Sequence, residues 1–197
     1  MDLLGDDYPY SNTALKGKHA LVCGASKGIG AATAKILAKA GASVTVCARN
    51  TEALNELCVE LSTLGNGSHS SLTLDLENTE AIRPAVEALI SAKGAIHILI
   101  NNAAGPKGGP LLGVDLADLE GPFKRHLHAA HTMVQTVVAG MEAEGYGRII
   151  QIISTSVKEP IPNLGLSNTL RGAMASWSKT LSRELPACIT INNVLPG

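Results

Sequence analysis

The residues best placed to do chemistry begin at Leu21-Val22-Cys23-Gly24-Ala25-Ser26-Lys27-Gly28-Ile29-Gly30, where an apolar run meets three glycines ahead of an Ala-rich stretch, 31–40. A strand that turns through glycine into a helix lets the backbone approach a pyrophosphate, whose charge then sits on the free N–H groups of the helix N-terminus. Glycines also serve tight turns for steric reasons alone. Their position after the first strand favours the phosphate reading. The spacing is G-x-x-x-G-x-G, not the commoner G-x-G-x-x-G.

The end of the next apolar run discriminates between nucleotides. An acidic residue about 20 positions past the glycines would accept the ribose hydroxyls of NAD. Here the run ends Cys47-Ala48-Arg49-Asn50, and Arg49 stands at that position. A guanidinium cannot accept hydroxyl protons, but it can fork onto a 2′-phosphate. Lys27, within the glycine turn, adds a second positive charge. Each alone reads as a solvated cation; together they favour NADP(H).

Other reactive side chains carry less. His126, His128 and His131 lie on a polar helical stretch, and solvated or interface histidines are the plainer reading. His128 and His131 are three apart, with no third ligand evident, so no metal is expected. Cys23, Cys47, Cys58 and Cys188 lack metal-type spacing, and reduced, partly buried thiols in a cytoplasm are expected.

These groups need a scaffold, and the chain supplies alternating strands and helices. Strands are predicted at 19–23, 43–48, 70–74, 96–100, 148–153 and 189–194. Most are continuous apolar runs, as in parallel strands covered on both faces. Helices are predicted near 28–40, 51–64, 79–93, 122–144 and 166–185. Leu54, Leu57, Cys58 and Leu61 give the second an apolar face, and Asn50 is its expected cap. Pro84 predicts a late start or a kink in the third, and Gly121-Pro122 a short helical piece before the long one. The alternation implies a doubly wound parallel α/β sheet. Residues 1–17, acidic and without a period, read as an extension.

Composition bounds the rest. The 197 residues favour one domain at roughly 100–200 residues each. With 45% hydrophobic and 17% charged residues the chain is globular. A net charge of −1 argues against nucleic acid or an anionic membrane as the partner. No apolar run approaches the ~20 residues of a membrane span, and the start lacks the basic-then-apolar pattern of a signal peptide. Twenty glycines with one Trp, three Tyr and one Phe suit tight βα units, not an aromatic platform for single strands.

Further motifs then fall in order: Asp75-Leu76, Asn101-Asn102-Ala103-Ala104-Gly105, Gly147-Arg148-Ile149-Ile150 and Asn192-Asn193-Val194-Leu195-Pro196-Gly197. With the glycine turn they make the chain resemble the short-chain dehydrogenase/reductase family over about residues 17–197. The resemblance implies a Rossmann-like sheet in order 3-2-1-4-5-6 with the cofactor across the carboxyl ends of the strands. It places the turn residues Gly24, Ser26, Lys27, Gly28, Ile29 and Gly30 at the phosphates, with Asp75 and Leu76 bordering the adenine. Asn101, Ala103 and Gly105 would line the strand-four side, and Pro196 and Gly197 would lie by the nicotinamide. It also implies a homodimer or homotetramer through helices near 122–144 and 166–185, with Trp177 in that interface or, more safely, in the core.

The family's active site is usually Asn, Ser, Tyr and Lys. Register from Gly147-Arg148-Ile149-Ile150 puts the Ser at Ser154, the Tyr position at Ser167 and the Lys position at Arg171, while the Asn falls on His126. A phenol of pKa near 10 can be lowered into a working range by an adjacent ammonium, whereas an alkyl hydroxyl ionises far less readily. Arg171, one turn from Ser167, keeps a charge that can bond ribose hydroxyls but relays no proton. His126 is the replacement acid by pKa, with Lys158 a second, although a surface pair with Glu159 is the plainer reading. The segment 156–168 is similar to a divergent subgroup that resembles 3-oxoacyl-[acyl-carrier-protein] reductases and lacks the Tyr.

The leading reading is an NADP(H)-dependent oxidoreductase acting on a small carbonyl or alcohol, including 3-oxoacyl thioesters. A catalytically silent NADP-binding sensor or assembly subunit is the alternative, and a structural protein that binds no nucleotide the third. Family domains normally continue past Pro196-Gly197 into a substrate loop, a helix and a last strand. The expectation is therefore a domain, 18–197, lacking its C-terminal strand and lid and exposing a strand edge.

Overall fold

Six short runs of β-branched and aliphatic residues form one parallel sheet in this computed structural model, which describes residues 11–197. The strands are β1 (His19–Cys23), β2 (Ser43–Ala48), β3 (Ser70–Thr73), β4 (Ile98–Asn101), β5 (Gly147–Ile152) and β6 (Ile189–Val194), in order β3-β2-β1-β4-β5-β6. β1 aligns Leu21 with Thr45 on one side and Leu99 on the other, so the glycine turn leaves the middle of the sheet at its carboxyl edge. This is the Rossmann-like order expected from sequence.

Alternation along β1 divides the core. Leu21 and Cys23 face Ile82 and Val86 of α3 (Thr79–Lys93) and Met133, Val137 and Met141 of α5 (Ala129–Ala143). Ala20 and Val22 face Ala34 and Ala38 of α1 (Gly28–Lys39) and Leu54 and Leu61 of α2 (Thr51–Leu64). Period two in the strands against three or four in the helices produces both faces. The alanines of α1 let it sit close on β1, which fixes the turn between them. Asn50 caps α2, its Oδ1 accepting from Ala53 N at 3.0 Å.

Several boundaries differ from expectation. α3 begins at Thr79 despite Pro84, neither starting late nor stopping there. The missing N–H would have met the carbonyl of Glu80 in the first turn, so only one bond is forgone. β4 starts two residues late because Ile96 and His97 form a lead-in, with His97 N donating to His19 O at 2.8 Å. The expected 122–144 helix is instead α4 (Leu116–Phe123), a π-helical turn (Lys124–His128) and α5. The last helix, α6 (Gly165–Leu181), ends before 185, where Pro186 disfavours helical backbone in the residue ahead of it.

Residues 1–10 of the expected extension lie outside the described residues. The remainder, 11–17, packs on the α1–β2 junction: Leu15 N donates to Ala40 O at 2.8 Å and its side chain joins the core. No helix among the described residues is long and apolar enough to cross a membrane.

Candidate active site

The glycine turn is tight because it closes on β4. Gly24 and Gly28 both take φ of +58°, a conformation that favours glycine. A Cβ on Gly24 would stand 2.6 Å from Asn102 O, and one on Gly30 would overlap the carbonyl of Gly24. Asn102 Nδ2 bonds Cys23 O at 3.3 Å and Gly24 O at 3.2 Å, tying the end of β4 to the turn. Beside Gly28 the space is open. Lys27, at the N-cap of α1, provides no side-chain cap, and no acidic residue stands in the first turn. The helix therefore keeps unsatisfied N–H groups and the positive end of its dipole for an anion.

The turn forms one wall of a cleft of about 490 Å³. Ser26, Lys27 and Ile29 line it with Arg49 from the end of β2, Asp75 and Leu76 after β3, and Ala103 after β4. Arg49 is well exposed, its Nη1 3.9 Å from an Asp75 oxygen. Two exposed charges at that distance hold each other weakly, leaving the guanidinium free to turn onto a phosphate. The cleft thus offers backbone donors, two cations and an apolar slot at Leu76 and Ala103, and a dinucleotide bearing a 2′-phosphate fits these groups.

The cleft also contains residues that the sequence reading did not select. Asn102 and Ala104 line it, while Asn101 does not: its side chain is buried and its Nδ2 has no partner. Successive strand residues face opposite ways, so only one asparagine of the pair can reach the turn. Arg125 lines the cleft from the π-helical turn. Its Nε meets Glu77 Oε1 at 2.8 Å, and its Nη1 donates to Ala104 O at 3.1 Å. The glycine motif pointed to neither partner, because their meeting depends on the π-helical turn.

Of the four residues expected at the active site, His126 and Arg171 meet each other. His126 is buried, correcting the solvated reading. Its Nε2 lies 3.0 Å from Ala104 O, and a carbonyl only accepts, so Nε2 carries the hydrogen and Nδ1 offers its lone pair. Nδ1 faces Arg171 Nη1 at 3.4 Å. Burial, then the charge of Arg171, pushes the His126 pKa down to about 3. At neutral pH it is uncharged, with its Nε2–H directed at Ala104 O.

Arg171 does not line the cleft. It is buried in α6, with Nη1 donating to Ile152 O at 2.8 Å, and burial lowers its pKa. Ser167 is half-buried in the first turn of α6, and its hydroxyl makes no hydrogen bond among the described residues. Ser154 is half-buried at the end of β5, its Oγ accepting from Ser156 N at 3.1 Å to cap a 3-10 turn, 155–157. Pro196 O accepts from Thr155 N at 3.0 Å, so Pro196 and Gly197 lie beside that turn. Gly105 stands next to Arg171, not in the cleft lining.

Two peripheral expectations change. Lys158 and Glu159 are exposed and form no ion pair with each other among the described residues, since neighbours in a helical turn point apart. Trp177 is half-buried where α6 meets α5, packed against the margin of the core, its Nε1 donating to His131 Nδ1 at 3.3 Å. Among the described residues no group of three His, Cys, Asp or Glu is arranged to hold a metal ion.

Compared with known proteins, residues 18–197 match the family model described as short chain dehydrogenase. The chain belongs to this family. A ketoacyl reductase, HetN, of a Nostoc species is 29% identical over 186 residues, covering 94% of this chain and 64% of the relative. The chain thus spans less than two thirds of that protein. Among solved structures, an L-sorbose reductase from Gluconobacter frateurii complexed with NADPH and L-sorbose superposes with a TM-score of 0.89 at 28% identity. That match covers 94% of this chain and 71% of the reductase. A metagenomic short-chain oxidoreductase in complex with NADP gives 0.86 at 31% identity, over 93% and 83%. As a short chain dehydrogenase, the chain carries the glycine turn within the residues that the family model matches.

Proposed function

We propose that the chain is an NADP(H)-dependent oxidoreductase that moves a hydride between the nicotinamide and a small carbonyl or alcohol substrate. The observation that carries this is the cleft, in which the uncapped N-terminus of α1 faces Arg49 across Lys27 with no carboxylate at position 49. The solved relatives bound to NADPH and NADP support the choice of cofactor, and the ketoacyl reductase supports the substrate class.

NADP(H), when bound, supplies or accepts the hydride. The chain's own residues do the rest. Gly24, Ser26, Lys27, Gly28, Ile29 and Gly30 take the pyrophosphate on backbone N–H groups and the Lys27 ammonium. Arg49 takes the 2′-phosphate, and Asp75 and Leu76 border the adenine. Asn101, Ala103 and Gly105 support the strand-four side, with Pro196 and Gly197 at the far end. Ser154 offers a hydroxyl to the substrate oxygen. Ser167 stands where a phenol would be, and Arg171 adds positive charge that favours an oxyanion.

A second reading has an observation of its own. His126 is neutral, Arg171 is always charged and Ser167 is an alkyl hydroxyl, so none has a pKa suited to proton transfer near neutrality. This favours a silent NADP-binding sensor or assembly subunit. In either reading, association as a homodimer or homotetramer through 122–144 and 166–185 is part of the proposal, as is a cytoplasmic location.

Purified chain with NADPH and a panel of ketones, oxo acids and 3-oxoacyl thioesters separates the two. Turnover abolished by Ser154→Ala supports the oxidoreductase. Tight NADPH binding with no turnover on any member supports the sensor.

A further inference from the structure

Residues 103–108 leave the end of β4 with little to hold them. Among the described residues they make no backbone–backbone hydrogen bond, and the hydrogen bonds made to them are both accepted by Ala104 O. Ala103 and Ala104 nevertheless line the cleft. A segment with no ladder or turn of its own is either fixed by side chains or loses conformational entropy when a ligand orders it.

One donor, His126, is buried and turned toward Arg171. The other, Arg125, reaches further. Its Nη1 donates to Ala104 O at 3.1 Å, while its Nε donates to Glu77 Oε1 at 2.8 Å and Nη2 pairs with the same oxygen. The planar guanidinium carries donors on both edges in fixed directions, so one side chain ties the segment after β4 to the segment after β3. Glu77 is itself placed: its N–H donates to Asp75 Oδ1 at 3.0 Å, and its carboxylate lies 3.5 Å from where a Cβ on Gly121 would stand. The other oxygen of Asp75 faces Arg49. Asp75, Glu77, Arg125 and Ala104 thus form a connected run beside the cleft. The side chains of Arg125 and Glu77 are 23% and 36% exposed, against 68% and 46% for Arg49 and Asp75, so water screens this pair less.

We infer that Arg125 is a positioning residue for the cofactor: its bonds to Glu77 and Ala104 O hold the cleft wall made by residues 75–77 and 103–104 in the arrangement the nucleotide meets. The inference rests on the NADP(H) reading of the cleft. A wall fixed beforehand spares the ordering cost on binding, which raises affinity without a new contact to the ligand. Attraction of the phosphates by the Arg125 charge is the competing role, and Glu77, which balances that charge, tells the two apart.

The test uses the full chain, titrated with NADPH and with 2′-phospho-ADP-ribose, which lacks the nicotinamide. Arg125→Met should weaken both by about tenfold, and Arg125→Lys, which can reach one partner but not both, should recover part of the loss. Glu77→Gln should weaken both as well, whereas a role through charge would make it bind them more tightly. The Arg125→Met/Glu77→Gln pair should be no worse than Arg125→Met alone. Arg125→Lys and Glu77→Gln carry the test if Arg125→Met does not fold. The 15N order parameters of Ala103, Ala104 and Gly105, measured without nucleotide, should fall in Arg125→Met and Glu77→Gln from the rigid value of about 0.85. Arg125→Met or Glu77→Gln binding NADPH within about twofold of wild type, tighter binding by Glu77→Gln, a loss for NADPH alone, additive losses in the pair, or unchanged order parameters would each overturn the inference. Wild type binding neither nucleotide would remove the cofactor reading, and lowered order parameters in the variants would then leave the positioning of the wall standing.

Discussion

Arg125 and His126, adjacent in the chain, both donate to the carbonyl oxygen of Ala104, at 3.1 and 3.0 Å. One backbone atom thus joins the cofactor cleft to the reaction end. On one side Arg125 reaches Glu77, which follows the cleft-lining residues Asp75 and Leu76. On the other, His126 meets Arg171, which bonds the end of β5 through Ile152 O. The π-helical turn presents both side chains to the same acceptor. Neighbouring residues of a regular helix point about 100° apart, so a local change in winding is the structural requirement.

Arg49 sets the cofactor preference if the 2′-phosphate lies beside it. Arg49→Leu should weaken NADPH binding at least tenfold, the scale of one charge-assisted contact at about 1.4 kcal/mol or more, and leave NADH within threefold. Fluorescence titration with both nucleotides checks this. Equal losses for both would mean that Arg49 maintains structure and does not discriminate.

Gly30 tests the closure of the turn. Alanine there would drive its Cβ into the Gly24 carbonyl, and neither backbone has space to retreat while Asn102 holds Gly24. We expect Gly30→Ala to lose roughly 2 kcal/mol, or about 4–8 °C in Tm for a chain of this size, together with NADPH binding. Gly28→Ala meets no atom but keeps a φ of +58°, so its cost should be smaller, on the order of 1 kcal/mol. A larger Tm loss at Gly28 than at Gly30 would contradict the closure.

Acid should destabilise the fold through its buried histidines. Burial, then the charges of His97 and Lys93, lowers the pKa of His19 to about 4, and His126 lies at about 3. Both folded values are below the unfolded value of about 6.5, so the unfolded chain binds the extra protons. Their contribution is present in full above about pH 6.5 and is lost as pH falls towards 4, on the order of 3 kcal/mol for His19. His126→Asn can keep both hydrogen bonds and removes one titrating group. Its urea stability should therefore fall less steeply with pH between 6.5 and 4. An unchanged slope would show that His126 is not held neutral in the fold.

The proton-transfer question has a gain-of-function test. Ser167→Tyr combined with Arg171→Lys restores a phenol beside an ammonium one turn away on α6, and should raise or create NADPH-dependent reduction at least tenfold. If the double variant binds NADPH but is no faster, the serine at 167 does not limit the reaction.

Much of the fold was legible because continuous apolar runs such as Ala20-Leu21-Val22-Cys23 and Ile98-Leu99-Ile100 admit little but buried parallel strands. The glycine turn was legible because only glycine suits its backbone. The burial of His126 is not legible in sequence, because Lys124-Arg125-His126-Leu127-His128 is polar at every position but one, and only the winding of the turn decides which of these side chains goes inward. Residue type alone does not say which of the adjacent asparagines, Asn101 or Asn102, faces the turn. Arg125 and Glu77 are 48 positions apart, and no local pattern pairs them.

The central claim is that the cleft between the glycine turn and Arg49 holds a 2′-phosphorylated nicotinamide dinucleotide. Parallel titrations of the purified chain with NADPH and NADH, followed by nucleotide fluorescence, test it most directly. The account predicts saturable NADPH binding at micromolar concentration, at least tenfold tighter than NADH. Absence of NADPH binding in that range, or equal affinity for the two nucleotides, would contradict it.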